Sequence, residues 1–197
     1  MHYLLFGLAA YLIGSFPTGV VLSRKKYGLD VRDMGSGNIG ATNITRVFGW
    51  YAGAMVFLVD FLKGWGPVAW ITLRHPEDPW LKTVVGASLV LGHCFSAYLR
   101  LRGGKGVATS LGCLLAVLPW AATAGGVAYL ILLLVTRISA VGSLGGIIVV
   151  LGYLVWNPPA LPQLTLVLLV SALVVIRHDS NIRRLWGDLK KRKRRTA

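Results

Sequence analysis

Acidic residues are scarce in this chain: 7 Asp and Glu stand against 21 Lys and Arg in 197 residues, a net charge of +14. Charge of either sign is scarce as well, at 14% of residues, where a soluble domain carries about a quarter to cover its surface. That shortage excludes an ordinary soluble domain and leaves much of the surface to face lipid. Cysteine is nearly absent. Cys94 and Cys113 lie in apolar surroundings without CxxC or Cys/His spacing, which excludes a disulfide framework and a zinc site and reads as two buried thiols acting as small hydrophobes. No metal and no cofactor is expected. Internal repeats and low-complexity stretches are also missing, so residues 1–197 read as a single domain.

Hydrophobic residues make up 55% of the chain and the mean hydropathy is +0.64. A membrane-crossing helix takes ~20 mostly apolar residues. Seven segments qualify or come close: His2 to Leu22, about Val47 to Leu73 with Asp60 and Lys63 inside it, Leu81 to Leu99, Gly106 to Pro119, Ala121 to Thr136, Ile138 to Trp156, and about Leu161 to Ile176. The fourth and fifth are short, and short helices either cross a thinned bilayer or re-enter it. The first run lacks a basic leader and a small-x-small cleavage site before Ser23, so it reads as a retained helix. The expectation is an all-α integral membrane protein with about seven transmembrane helices, two of them short.

Lys and Arg stay on the cytoplasmic side of a membrane. With seven crossings, eighteen of the 21 basic residues fall on one side. Arg74 and Lys82 flank the opposite loop, beside Glu77 and Asp78, and Lys63 is intramembrane. The N-terminus is therefore predicted outside and the C-terminus in the cytoplasm, with a basic cytoplasmic tail at 188–197. Such a basic balance in an apolar chain points to anionic membrane lipids rather than nucleic acid.

Three polar segments share the predicted cytoplasmic side. Gly103-Gly104-Lys105-Gly106 opens a helix. Its glycines let backbone amides approach an anion, Lys105 adds charge, and the helix offers its positive end. Gly106 stands where a Walker A loop has Ser or Thr, so this is not that motif. Gly35 to Asn43 is a second glycine-rich loop, rich in hydroxyl and amide groups through Ser36, Asn38, Thr42 and Asn43, with Arg46 one helical turn beyond Asn43. The third segment holds Arg177, His178, Asn181 and Arg184, which share one face if the helix continues. Inside the second span, Asp60 and Lys63 pair at i,i+3, either bracing a pocket or lining it. Ser139 and Ser143 share a face near the inner end of the sixth span, and Ser143 is taken as the substrate contact.

Together these segments closely resemble the acyl-phosphate:glycerol-3-phosphate acyltransferase family, PlsY. The resemblance rests on Gly35-Ser36-Gly37-Asn38 through Asn43 and Arg46, then Asp60-Phe61-Leu62-Lys63-Gly64. It continues through Gly92-His93 into Gly103-Gly104-Lys105-Gly106-Val107-Ala108-Thr109, then Arg177-His178, Asn181-Ile182 and Arg184-Leu185. It spans nearly the whole chain. Ile39 stands where the family commonly has Pro, Ser96-Ala97-Tyr98 is looser than the usual Phe/Pro-rich stretch, and Asp188 replaces a common Glu. The resemblance implies a metal-free bacterial inner-membrane enzyme with its active site facing the cytoplasm. It would move a fatty acyl group from acyl phosphate to glycerol 3-phosphate, giving 1-acylglycerol 3-phosphate and phosphate in early phospholipid synthesis.

On that reading Lys105, His178 and Asn181 are the catalytic residues. Gly103, Gly104, Lys105 and Gly106, helped by Ser36 and Asn38, take the donor phosphate. Arg46, His178 and Asn181 take glycerol 3-phosphate, with Thr42, Asn43 and Ser143 among the substrate contacts. Either His178 or a substrate phosphate serves as the base. A transporter or channel for small organic phosphates is the rival reading, since it would use the same basic loops and intramembrane charges. A monomer is compatible with the sequence, which does not fix the oligomeric state or the preferred acyl length.

Overall fold

The computed structural model of the protein describes residues 1–196, the side chains of 188, 189 and 191–196 excepted. The described residues form helices and connecting loops, without strands. In chain order they are α1 (His2–Ser15), α2 (Thr18–Tyr27), α3 (Ala41–Phe48), α4 (Trp50–Arg74), α5 (Pro79–Cys94), α6 (Val107–Val117), α7 (Pro119–Thr136), α8 (Ser139–Trp156), α9 (Leu161–Arg177) and α10 (Asp179–Thr196). The ends follow local chemistry. Pro17 has no amide hydrogen and separates α1 from α2. Asp78 caps α5 by accepting from the Leu81 amide at 2.9 Å, with Pro79 as its first residue.

All seven apolar segments are helical, but their lengths differ from the expectation. Five stretches are long and apolar enough to cross a membrane: His2–Tyr27, Trp50–Arg74, Pro79–Leu99, Pro119–Thr136 and Ser139–Trp156. α7, expected to be short, is among them because its helix starts at Pro119 and runs for 18 residues. A sixth candidate is α9 with the start of α10, bent by 55°. α6 has only 11 residues, about 16 Å at 1.5 Å per residue, roughly half of a ~30 Å hydrocarbon layer. Large apolar side chains on the outer helices, among them Leu134, Val135, Ile148 and Val155, are exposed, a surface suited to lipid. Of the basic tail expected at 188–197, Lys190 is exposed and the other side chains lie outside the described residues.

Two packing features position the polar segments. α4 and α6 touch backbone to backbone: a Cβ on Gly64 would overlap the Thr109 carbonyl, and one on Gly112 would overlap that of Phe61. Small residues permit such close crossings in membranes, and this one sets the first turn of α6 beside Asp60. A separate apolar cluster of Val20, Val31, Ile39, Ile44, Ala52, Val56 and Leu99 seats α3 and the 28–40 loop on α2 and α4. Ile44, fully buried there, contributes about 1.5–3 kcal/mol of the kind expected for a sequestered aliphatic side chain.

Candidate active site

The glycine-rich loop before α3 is tied by one buried side chain. Asn43 donates through Nδ2 to the carbonyls of Asn38 at 2.9 Å, Met34 at 3.1 Å and Val31 at 3.4 Å. Its Oδ1 accepts the Ser36 amide at 2.8 Å and reaches Arg46 Nη1 at 3.4 Å. Asn38 turns its own oxygen onto the Gly40 amide at 2.8 Å. Both residues therefore shape the loop. The Ser36 side chain and Arg46 are left exposed on it, and the Thr42 hydroxyl shares a 3.1 Å hydrogen bond with Ser139. Ser139 in turn lies 3.2 Å from the Tyr129 hydroxyl.

The loop between α5 and α6 is entered through Arg100 and Leu101, both at positive φ (51° and 63°), a conformation costing a non-glycine residue about 1–2 kcal/mol. Its geometry corrects one expectation. The Gly103 amide donates to Cys94 O at 3.2 Å and the Gly104 amide to His93 O at 2.9 Å, so neither turns toward an anion. Arg177 holds the loop from the other side, donating to Gly103 O at 2.8 Å and Gly104 O at 3.0 Å. The two glycines are needed for close approach, because a Cβ on Gly103 would overlap His93 O and one on Gly104 would overlap His93 Nε2. What remains for an anion is the Lys105 ammonium and the N-terminal turn of α6, whose first amides have no intrahelical acceptor.

At the third segment the chain does not continue as one helix. α9 ends at Arg177, and α10 starts at Asp179 after the 55° bend. His178 occupies the break, 2% exposed, with Nδ1 2.8 Å from the Val174 carbonyl. Asn181, in the first turn of α10, accepts a hydrogen bond from Lys105 through Oδ1. The shared face expected for Arg177, His178, Asn181 and Arg184 is thus replaced by a corner.

The three segments converge at Lys105. Its pKa is lowered from the ordinary lysine value of 10.5, first by partial burial and then by the nearby charges of Arg184, Arg177 and Arg46. With Lys105 itself, those cations represent all three segments. Among the described residues none of Arg46, Lys105 and Arg177 has a carboxylate partner. Arg24 and Arg32 differ: they bind Asp30 at 2.7 and 2.6 Å, and Arg32 chiefly holds that carboxyl well below its usual range. Ser143 sits one turn into α8 and donates to Ser139 O at 3.0 Å, so its hydrogen is committed to its own helix while its oxygen can still accept.

A family model described as glycerol-3-phosphate acyltransferase matches residues 4–188. The chain belongs to the glycerol-3-phosphate acyltransferase family. It is 45% identical over 190 residues to a glycerol-3-phosphate acyltransferase of Anaeromyxobacter sp. (strain Fw109-5), covering 94% of both chains. It is 44% identical over 178 residues to one of Myxococcus xanthus, covering 90% of this chain and 93% of that one. Two crystal structures of PlsY, an integral membrane glycerol 3-phosphate acyltransferase, superpose closely. The glycerol 3-phosphate form has a TM-score of 0.90 and 36% identity over 95% of this chain and 94% of that one. The lysophosphatidic acid form has a TM-score of 0.87 and 34% identity over 95% of this chain and 93% of that one. Membership in an acyltransferase family sets aside the transporter reading.

Several site residues carry weak signals in the sequence. Arg177 and Ser139 make the cross-loop contacts, although His178 and Ser143 are the conspicuous choices. His93 underlies Gly104, and the sequence marks it only as part of the Gly92-His93 step of the family resemblance. Asp60 and Lys63 do form the i,i+3 pair, at 2.7 Å and both nearly buried. They brace the α1–α2 junction, since Asp60 also accepts from Thr18 at 2.8 Å and Lys63 also donates to Phe16 O at 2.9 Å, and Lys63 also lines a cavity with Phe16 and Tyr98.

Proposed function

We propose that this multi-pass membrane protein, a glycerol-3-phosphate acyltransferase by family, transfers a fatty acyl group from acyl phosphate to a glycerol 3-phosphate hydroxyl. The product is 1-acylglycerol 3-phosphate, and inorganic phosphate leaves. The observation that carries this reading is the half-buried Lys105 ammonium, hydrogen-bonded to the neutral Asn181 side chain and lying within the fields of Arg184, Arg177 and Arg46. Two phosphate-bearing substrates need such a site, and charge-assisted contacts to phosphate are strong where water is limited. The relatives solved with glycerol 3-phosphate and with lysophosphatidic acid support the acceptor and product.

The chemistry asked of the site is modest. Acyl phosphate is a mixed anhydride with a good leaving group. The acceptor oxygen forms a bond to the acyl carbon, the bond from that carbon to the phosphate oxygen breaks, and the electron pair leaves with phosphate. Lys105 and the first turn of α6, with Gly106 at the turn, hold the donor phosphate as its negative charge grows, helped by Ser36. Arg46 and Asn181 hold glycerol 3-phosphate, with Thr42 and the Ser143 oxygen toward its hydroxyls. Bringing the acceptor hydroxyl against the face of the acyl carbonyl is worth ~7–11 kcal/mol of the barrier. The hydroxyl proton passes to a substrate phosphate, whose second pKa is ~6. His178 orients the acceptor: with Nδ1–H donated to Val174 O, the free nitrogen is Nε2. Asn38 and Asn43, with Gly103 and Gly104, act by shaping the loops.

The site faces the cytoplasm of a bacterial inner membrane on this reading, because the basic loops that build it belong on that side. The direct test is transfer by the purified protein to labelled glycerol 3-phosphate from acyl phosphate, acyl-CoA and acyl carrier protein in parallel. Product from acyl phosphate alone is expected. Equal product from acyl-CoA would overturn the donor assignment.

A further inference from the structure

A buried polar cluster lies directly beneath the α5–α6 loop, and none of the substrate contacts proposed above uses it. Asp60 of α4 is its centre. Asp60 Oδ1 accepts from Lys63 Nζ at 2.7 Å and from Thr18 Oγ1 at 2.8 Å, and lies 3.9 Å from His93 Nδ1. The Asp60 backbone carbonyl accepts from Thr109 Oγ1 at 3.0 Å, in the first turn of α6. His93 is 5% exposed and its Nδ1 has no hydrogen-bond partner among the described residues. The other side of the same imidazole carries the loop. Its Nε2 occupies the place where any Cβ on residue 104 would fall, and its own carbonyl accepts the Gly104 amide at 2.9 Å.

Buried charge inside a membrane is costly and persists only where it does something. A lysine and an aspartate of one helix would pair adequately without a histidine beside them. Here Asp60 faces one edge of His93 at 3.9 Å, and the opposite edge is the floor under the residue that precedes Lys105. A fully enclosed side chain pressed against a glycine backbone restricts where the next residue can sit, which active-site geometry requires.

We propose that His93, backed by Asp60 and Lys63, is the positioning residue for Lys105. It touches no substrate itself. It sets the height of the Gly103–Gly104 backbone, and so the reach of the Lys105 ammonium toward the donor phosphate and Asn181. This rests on the assignment of Lys105 to the donor phosphate, and the test separates the two.

The experiment is a double-substitution cycle in purified protein, reading kcat and KM for acyl phosphate and for glycerol 3-phosphate. His93→Gln is the first variant, and His93→Asn serves if His93→Gln does not give a monodisperse protein in detergent. Asp60→Asn, which keeps the shape and removes the charge, is read in parallel. The His93 variant is expected to lose at least about tenfold in kcat/KM for acyl phosphate, with KM for glycerol 3-phosphate within about twofold of wild type. In a Lys105→Ala background the same substitution is expected to cost almost nothing further, because residues acting as a unit are not additive. A full multiplicative loss in that background, or wild-type kinetics in a folded His93 variant, overturns the positioning role. Wild-type kinetics in Lys105→Ala alone instead overturns the donor-site assignment on which it rests.

Discussion

The side-chain oxygen of Asn181 accepts a hydrogen bond from the Lys105 ammonium. That contact joins the loop ahead of α6 to the first turn of α10, and it fixes the cation with a neutral partner. A neutral partner leaves the positive charge available to phosphate, which a carboxylate would not.

Asn181→Asp should therefore be worse than Asn181→Ala. The carboxylate would neutralise Lys105 and repel both substrates, whereas alanine only frees the ammonium. Expected is a rise of at least about tenfold in KM for acyl phosphate in the Asp variant and a smaller one in the Ala variant, since a lost hydrogen bond to a charged group costs about 1.5–3 kcal/mol. Steady-state kinetics on the two proteins decide it, and an Asp variant no worse than Ala would show that Lys105 does not meet the donor phosphate.

Lys105 also makes activity depend on pH in a defined direction. Its pKa is lowered from 10.5 by burial and by Arg184, Arg177 and Arg46. In the alkaline window below 10.5 the folded protein has lost a proton that the unfolded chain keeps. Stability linked to this group therefore rises with pH there, while phosphate binding, which needs the charged amine, weakens. KM for acyl phosphate should climb on the alkaline side before an ordinary lysine would titrate. Lys105→Arg should flatten that climb, because a guanidinium stays charged throughout. A climb of the same size at the same pH in the Arg variant would assign it to another group.

Much of this was legible in the sequence, because the signals are local. Apolar runs of helical length gave the segments, and Gly, Lys, Arg and Asn at short spacing marked the three loops. What was hidden depended on neighbours distant in the chain. The Gly103 and Gly104 amides look free until α5 supplies the carbonyls of Cys94 and His93. Ser139 and Ser143 look alike by spacing. Only the helix start separates them: Ser143 has a helical carbonyl four residues back, while Ser139 begins α8 and can reach Thr42 and Tyr129 instead. The corner at His178 was missed because the apolar pattern of α9 gives way to a polar stretch that is itself helical, with neither glycine nor proline to mark the break.

The charge distribution predicts sidedness. Cys94 and Cys113 are both buried, so the native background for thiol labelling is low. Ser36→Cys lies on an exposed loop of the active site, and Glu77→Cys lies on the α4–α5 connection, where the side chain is 72% exposed. An impermeant maleimide applied to intact spheroplasts should label position 77 and spare position 36 until the membrane is opened. Labelling of position 36 in sealed spheroplasts would reverse the topology.

His178 offers the sharpest division between a base and a positioning group. Its Nδ1 is 2.8 Å from Val174 O, so in a neutral ring the hydrogen sits on Nδ1 and the lone pair on Nε2. Asn can reproduce the Nδ1 contact but has nothing at the Nε2 position, and Gln reaches that position with an amide that cannot take a proton near neutrality. If His178 is the base, both variants should lose ~100-fold or more, the lower range for general-base removal. If it orients the acceptor and a phosphate takes the proton, Gln should retain much of kcat while Asn loses more. The pH–rate profile adds an independent reading. A histidine base gives an acid limb that disappears in the Gln variant, and a phosphate base leaves that limb in place because the titrating group arrives with the substrate. The structure favours the second outcome, since among the described residues no carboxylate is paired with His178 to stabilise the cation it would become. A Gln variant that binds glycerol 3-phosphate at wild-type affinity yet is inactive at every pH would return the proton to His178.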